Sequence, residues 1–123
     1  MTTYIADKDG NSIETSKATS KPSDRHFRGA WTLSGTVISE DMTTAKTMFK
    51  DKVREVRKPL LEAQDVLYMK AIEDGDSSAQ STVATKKKEL RDAPAASAIT
   101  NAKTVAELKA AWNTSLLGTS PYA

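Results

Sequence analysis

The sequence predicts an α+β protein: N-terminal β-hairpins, then an antiparallel helical hairpin with a kinked long first helix, then a short third helix. Three observations carry that prediction. Turn-forming residues punctuate short apolar runs before Asp41, the apolar spacing switches to three and four from there, and Gly75-Asp76 separates two segments of helical period. A chain of 123 residues fits one domain, divided into an extended arm or hairpin over 1–24, a hairpin-plus-helices domain over 25–113 and a tail over 114–123.

Tyr4-Ile5-Ala6 and Ser12-Ile13-Glu14 flank Asp7-Lys8-Asp9-Gly10-Asn11, and Asp-Gly between short apolar runs signals a hairpin. Thr15 to Ser23 is rich in Ser, Thr and Lys and contains Pro22, which predicts an extended linker. Phe27 to Leu33, the turn Ser34-Gly35 and Thr36-Val37-Ile38 predict a second hairpin. A two-stranded hairpin is marginal alone, so each must pack on something else. Asp41 is a good N-cap for the first helix. Met42, Ala45, Phe49, Val53, Val56, Leu60, Ala63 and Leu67 form its apolar stripe. Pro59 lies inside it and predicts a kink or break near Lys58, because proline lacks the N–H and crowds the preceding turn. Gly75 predicts a left-handed cap. Asp76 or Ser77 then caps a second helix to about Asp92, with Ala79, Val83 and Leu90 inward, and Pro94 stops it. Thr104-x-x-Glu107 is a capping box, with Val105, Leu108, Ala111 and Trp112 facing inward. The tail from Asn113 to Ala123 is expected to lack regular structure.

Composition narrows the function. Leu, Ile, Val and Phe total 21 residues while Ala alone supplies 17, so the core is thin and the chain is expected to lean on a partner or on copies of itself. No apolar run approaches the roughly 20 residues of a membrane span, and Met1-Thr2-Thr3-Tyr4 opens no signal-peptide pattern. With no cysteine there is no disulfide, thiolate metal site or cysteine nucleophile. A net charge of +2 gives no strong pull toward nucleic acid.

No grouping of residues reads as catalytic. His26 is the only histidine, set in a polar linker between Asp24, Arg25 and Phe27, and surface packing explains it better than general-base chemistry. Asp7-x-Asp9-Gly10-Asn11 resembles the start of a calcium loop, but Ser12 stands where that loop needs glycine and Ala18 where it needs glutamate. No phosphate-binding glycine loop, metal-ligand set or cofactor motif is present. Lys and Arg at 46, 50, 52, 54, 57 and 58, with Lys86-Lys87-Lys88, form basic clusters that could meet phosphates. Acidic residues interrupt them and no aromatics interleave, which favours a solvated helix face or arginines meeting carboxylates on a partner. Trp31 and Trp112 read equally as core and as interface anchors.

Arg25-His26-Phe27-Arg28-Gly29-Ala30-Trp31 before a short hairpin resembles the Arg-x-Phe-Arg-x-Ala-Trp opening of small proteins of tailed bacteriophages. The likeness continues through Asp41-Met42-Thr43-x-Ala45-Lys46, Arg54-x-x-Arg57-x-Pro59-Leu60-Leu61-x-x-x-Asp65, Lys88-Glu89-Leu90-Arg91-Asp92 and Leu108-x-x-x-Trp112. The Arg…Leu-Leu…Asp and Leu-Arg-Asp parts are also similar to the C-terminal helical segment of phage tail assembly chaperones and tail fibre assembly proteins. The resemblance spans residues 24 to 113 and implies a tail context without enzymatic activity. Pro94-Ala95-Ala96-Ser97 departs from the chaperone segment, which there runs toward an apolar, proline-containing end. The resulting expectation is a non-enzymatic structural or adaptor protein of the virion tail, made in the host cytoplasm and placed at the fibres or baseplate. Its partners are other tail or fibre proteins or copies of itself, with no membrane and nucleic acid disfavoured. Its extended segment and hairpins would dock by adding a strand to a partner's sheet edge. Phe27, Trp31, Arg54, Arg57 and Trp112 are the expected contact or supporting residues. A transient tail fibre assembly chaperone and a nucleic-acid-binding accessory protein are the alternatives.

Overall fold

The computed structural model describes residues 3–122; Met1 and Thr2 of the expected arm and Ala123 of the expected tail lie outside the described residues. The class is α+β. Strands β1 (Tyr4–Ala6) and β2 (Ser12–Glu14) form one antiparallel hairpin, β3 (Trp31–Ser34) and β4 (Val37–Glu40) a second. Helices α1 (Met42–Glu73), α2 (Ser77–Asp92), α3 (Ser97–Asn101), α4 (Val105–Ala110) and α5 (Thr114–Leu117) follow.

The first hairpin pairs Ile5 with Ile13 around a turn held by Asp7, whose Oδ1 accepts the backbone N–H groups of Asp9 and Asn11 at 2.9 Å each. Asp7 Oδ2 also accepts the Leu33 N–H at 2.9 Å, and the Lys8 N–H donates to the Trp31 carbonyl at 2.9 Å. Those two bonds fasten the first hairpin along the outer edge of β3. On the opposite edge, the Ile38 N–H donates to the Ser20 carbonyl at 2.8 Å in a parallel bridge between Ser20 and Val37. The linker is therefore docked, with one 3-10 turn at Thr15–Lys17. Ile5, Trp31 and Ile38 bury together as a small apolar cluster.

Two local expectations for the second hairpin change. Ser34 pairs with Val37, so its turn is Gly35-Thr36. The expected strand at Phe27 to Ala30 is a turn of 3-10 helix over Arg28–Ala30. Phe27 and Ala30 are both fully buried in the main core, and positions i and i+3 share a face in a helical turn, not in a strand.

Asp41 caps α1, accepting N–H groups from Thr43 and Thr44. The helix then runs through Pro59 without the break that the proline also allowed. Packing on both sides of the proline accounts for this. Val53, Val56, Leu60 and Leu61 lie in or against the core, and Ala71 is buried further along the same helix. Burial along the whole seam outweighs one missing bond. At the far end the Asp76 N–H reaches the Ala71 carbonyl (3.0 Å) and the Gly75 N–H the Ile72 carbonyl (3.1 Å), with Gly75 at φ +65°. This is a Schellman closure, and Asp76 at once caps α2 through Ala79.

The main core joins Phe27, Phe49, Val53, Leu90, Ile99, Leu108, Trp112 and Leu117, drawn from the linker, α1, α2 and all three short helices. The expected unstructured tail contributes to it. Asn113 caps α5 through the Leu116 N–H, Gly118 ends it, and Trp112 Nε1 donates to the Gly118 carbonyl at 3.0 Å. Tyr122 then stacks between Phe27 and Phe49, with ring centroids 5.0 and 5.5 Å away.

Candidate functional site

Along α1, Lys50, Arg54 and Arg57 stand four and three residues apart and so share a face. Antiparallel packing brings the last turn of α2 across that face, and with it Arg91. These four cations line one cavity of about 260 Å3, closed on another side by Pro94 and Ala95. Arg57 is fixed in place: its Nη1 donates to the Leu90 carbonyl at 3.2 Å and to the Arg91 carbonyl at 2.7 Å, filling acceptors that the end of α2 leaves open. Arg54 Nη1 meets Asp51 at 2.9 Å across an exposed pair. Among the described residues Lys50, Arg57 and Arg91 have no carboxylate partner. Arg91, which motif reasoning does not single out for a role, lies 34 positions beyond Arg57, and only the helix packing unites them.

A second polar group ties the linker to α4. Lys109 Nζ donates to Asp24 Oδ2 at 2.7 Å, and His26 Nδ1 lies 3.0 Å from Asp24 Oδ1 and 3.2 Å from that Nζ. Burial pushes the Asp24 carboxyl up, but the bonds from Lys109 and from the His26 backbone and ring outweigh it and hold it below the ordinary range. Nearby Glu40 is raised, by burial first and then by the charge of Asp24. Its Oε2 is buried without a hydrogen-bond partner. Among the described residues no cluster of His, Asp and Glu could hold a metal ion. His26 edges the Tyr122 ring at 5.6 Å, which makes it part of the packing around the core.

The five residues expected at a partner interface separate into two groups. Phe27 and Trp31 have at most 1% of their surface exposed and Trp112 has 6%. A side chain so enclosed cannot touch a partner, so these three support the fold. Phe27 and Trp112 do so in the main core, and Trp31 in the hairpin cluster with Arg28 above its ring. Arg54 and Arg57 come together in the basic cavity.

The exposed apolar surface lies elsewhere. In the outer half of α1, Gln64, Tyr68 and Ala71 turn toward α2, leaving Val66 (69% exposed), Met69 (59%), Leu67 (48%) and Ile72 (48%) in solvent. The stripe read from the sequence placed Ala63 and Leu67 inside, but both are exposed here. The buried seam drifts round to Ala71 because 3.6 residues per turn do not hold a 3-4 spacing on one line. Beside α5, Phe49, Val53, Ile99, Trp112 and Leu116 line an apolar cavity of about 340 Å3 with Glu89, Asp92 and Asn113 also on its walls.

Fold and site together define a small α+β chain whose long first helix carries a basic cavity beside the main core and an apolar ridge on its outer half. Compared with family models, curated proteins and solved structures, the chain matches none.

Proposed function

We propose that this chain is a non-enzymatic structural adaptor of a bacteriophage virion tail, at the fibre or baseplate region, which works by contacts with other tail proteins. The observation that carries this reading is the ridge of Val66, Met69 and Ile72 on α1, three residues apart each, with Leu67 half-exposed on the other flank beside Val83 of α2. Three large apolar side chains in one strip, on a helix that already has a partner on its other face, are costly to leave in water. The ridge is the shape a helix presents to a groove in another chain. Strand addition fits less well, because both edges of the β3–β4 hairpin are already bonded to this chain's own arm and linker. The tail context comes from the sequence resemblance over residues 24 to 113.

A transient assembly chaperone would use the same ridge on an unfinished fibre. Replacing Val66 and Met69 together by Asp tests the shared element. Both side chains are exposed, so the fold should lose no more than about 0.5 kcal/mol per site. Incorporation into particles, or capture by a fibre protein, should fall at least about tenfold for a loss of 1.4 kcal/mol or more. Undiminished incorporation would remove the ridge from the account.

A further inference from the structure

We propose that the cavity walled by Lys50, Arg54, Arg57 and Arg91 is an oxyanion site that receives a carboxylate side chain from an acidic segment of a partner protein. The cavity stands on geometry alone, while the protein origin of the carboxylate rests on the adaptor reading above.

Four cations converge on one small space with only Asp51 to offset them. The carbonyls at the end of α2 account for Arg57, through Nη1 alone. Its Nε and Nη2 donors, and all those of Lys50 and Arg91, have no acceptor among the described residues. Arg57 is thus held in one orientation before any ligand arrives, which lowers the entropy lost on binding. Guanidinium forks match a carboxylate or a phosphate equally well in shape. The surroundings separate the two sources. A nucleic-acid backbone needs a track of successive unpaired cations. Here Lys46 is occupied by the Thr100 carbonyl (2.7 Å), Lys52 by Glu55 (3.4 Å), Lys87 by Asp65 (2.6 Å) and Lys88 by Asp92 (3.1 Å), while Lys58 and Lys86 do not line the cavity. No aromatic ring lines the cavity for a base to stack on. The four cavity cations face one space of about 260 Å3 instead of forming a continuous track, which suits a single carboxylate.

The test is fluorescence anisotropy of a fluorescein-labelled hexaglutamate peptide titrated with the full chain at low salt. A labelled single-stranded oligonucleotide of equal charge serves as the rival probe. Wild-type protein should bind the peptide saturably and more tightly than the oligonucleotide. Arg54→Gln with Arg91→Gln should weaken peptide binding about tenfold at an unchanged melting temperature. Lys88→Gln with Lys103→Gln removes equal charge outside the cavity and should change it less than about twofold. Lys50→Gln, which breaks no internal bond, reads the same loss if the double variant fails to fold. Absent peptide binding, equal losses in the two double variants, or tighter binding of the oligonucleotide would each overturn the proposal. Failure here for a chain that is nonetheless present in particles removes the carboxylate site and leaves the adaptor standing.

Discussion

Asp7, Asp24 and Asp41 each hold a junction of the fold through hydrogen bonds to the carboxylate. Asp7 fastens the first hairpin to β3, Asp24 the linker to α4, and Asp41 starts α1. The main cause differs at each. The Leu33 N–H lowers Asp7, the Thr44 hydroxyl lowers Asp41, and at Asp24 burial is outweighed by Lys109 and His26. All three lie below their ordinary 3.8, so the unfolded chain takes up these protons first. Their stabilisation is complete above that value and drains away as pH falls through it toward the folded values. Acid unfolding followed by circular dichroism should therefore steepen below pH 3.8, and Asp24→Asn should flatten part of that slope. Glu40 has the opposite sign. Its raised folded value means that stability drops as pH rises through the range above 4.5. Glu40→Gln should raise the melting temperature at pH 7 and give no gain at pH 4. A variant that melts lower at pH 7 would show that the Glu40 charge has a partner.

At the scale of elements, Pro59 gives the sharpest contrast between local chemistry and tertiary packing. Within α1 it costs a backbone bond and crowds the carbonyl four residues back, yet the helix continues through it. Pro59→Ala should stabilise the chain by up to about 3 kcal/mol in denaturant titration without altering helix content. A gain in helical signal would mean that α1 is broken in wild type. The caps were readable because they are local: Asp41, Asp76, Gly75 and Thr104 each satisfy neighbours within five residues. Asn113 and Gly118 carried the same signature for α5, but so short a helix has no periodic stripe to announce it. The capping box differs in one detail. Glu107 Oε2 accepts the Lys103 N–H at 2.7 Å rather than that of Thr104 itself. Tyr122 was not readable at all, since nothing near it in sequence specifies a slot between Phe27 and Phe49. The basic cavity was half legible. The spacing of Lys50, Arg54 and Arg57 puts them on one face, while Arg91 joins them only through the α1–α2 crossing.

At the scale of the molecule, the structure has one well-filled end and one exposed one. Aromatic stacking and the three short helices gather around the first half of α1, whereas Ala71 and Val83 are the only fully buried apolar side chains of the outer helical hairpin among the described residues. A Lys87–Asp65 pair and the Lys87 ammonium over Tyr68 brace that outer part. Exposed pairs of this kind contribute at most about 1 kcal/mol each. A projecting hairpin with a thin seam and an apolar outer ridge gains most from a covering partner, and this asymmetry underlies the adaptor proposal. The most direct test of that proposal is to express the tagged chain during infection by a tailed phage and analyse gradient-purified particles by mass spectrometry, quantified against the tail tube protein. A structural adaptor is expected in finished particles at a fixed low copy number. Its absence from them, with recovery only from infected-cell lysate on an unfinished fibre, would contradict the adaptor and establish a chaperone.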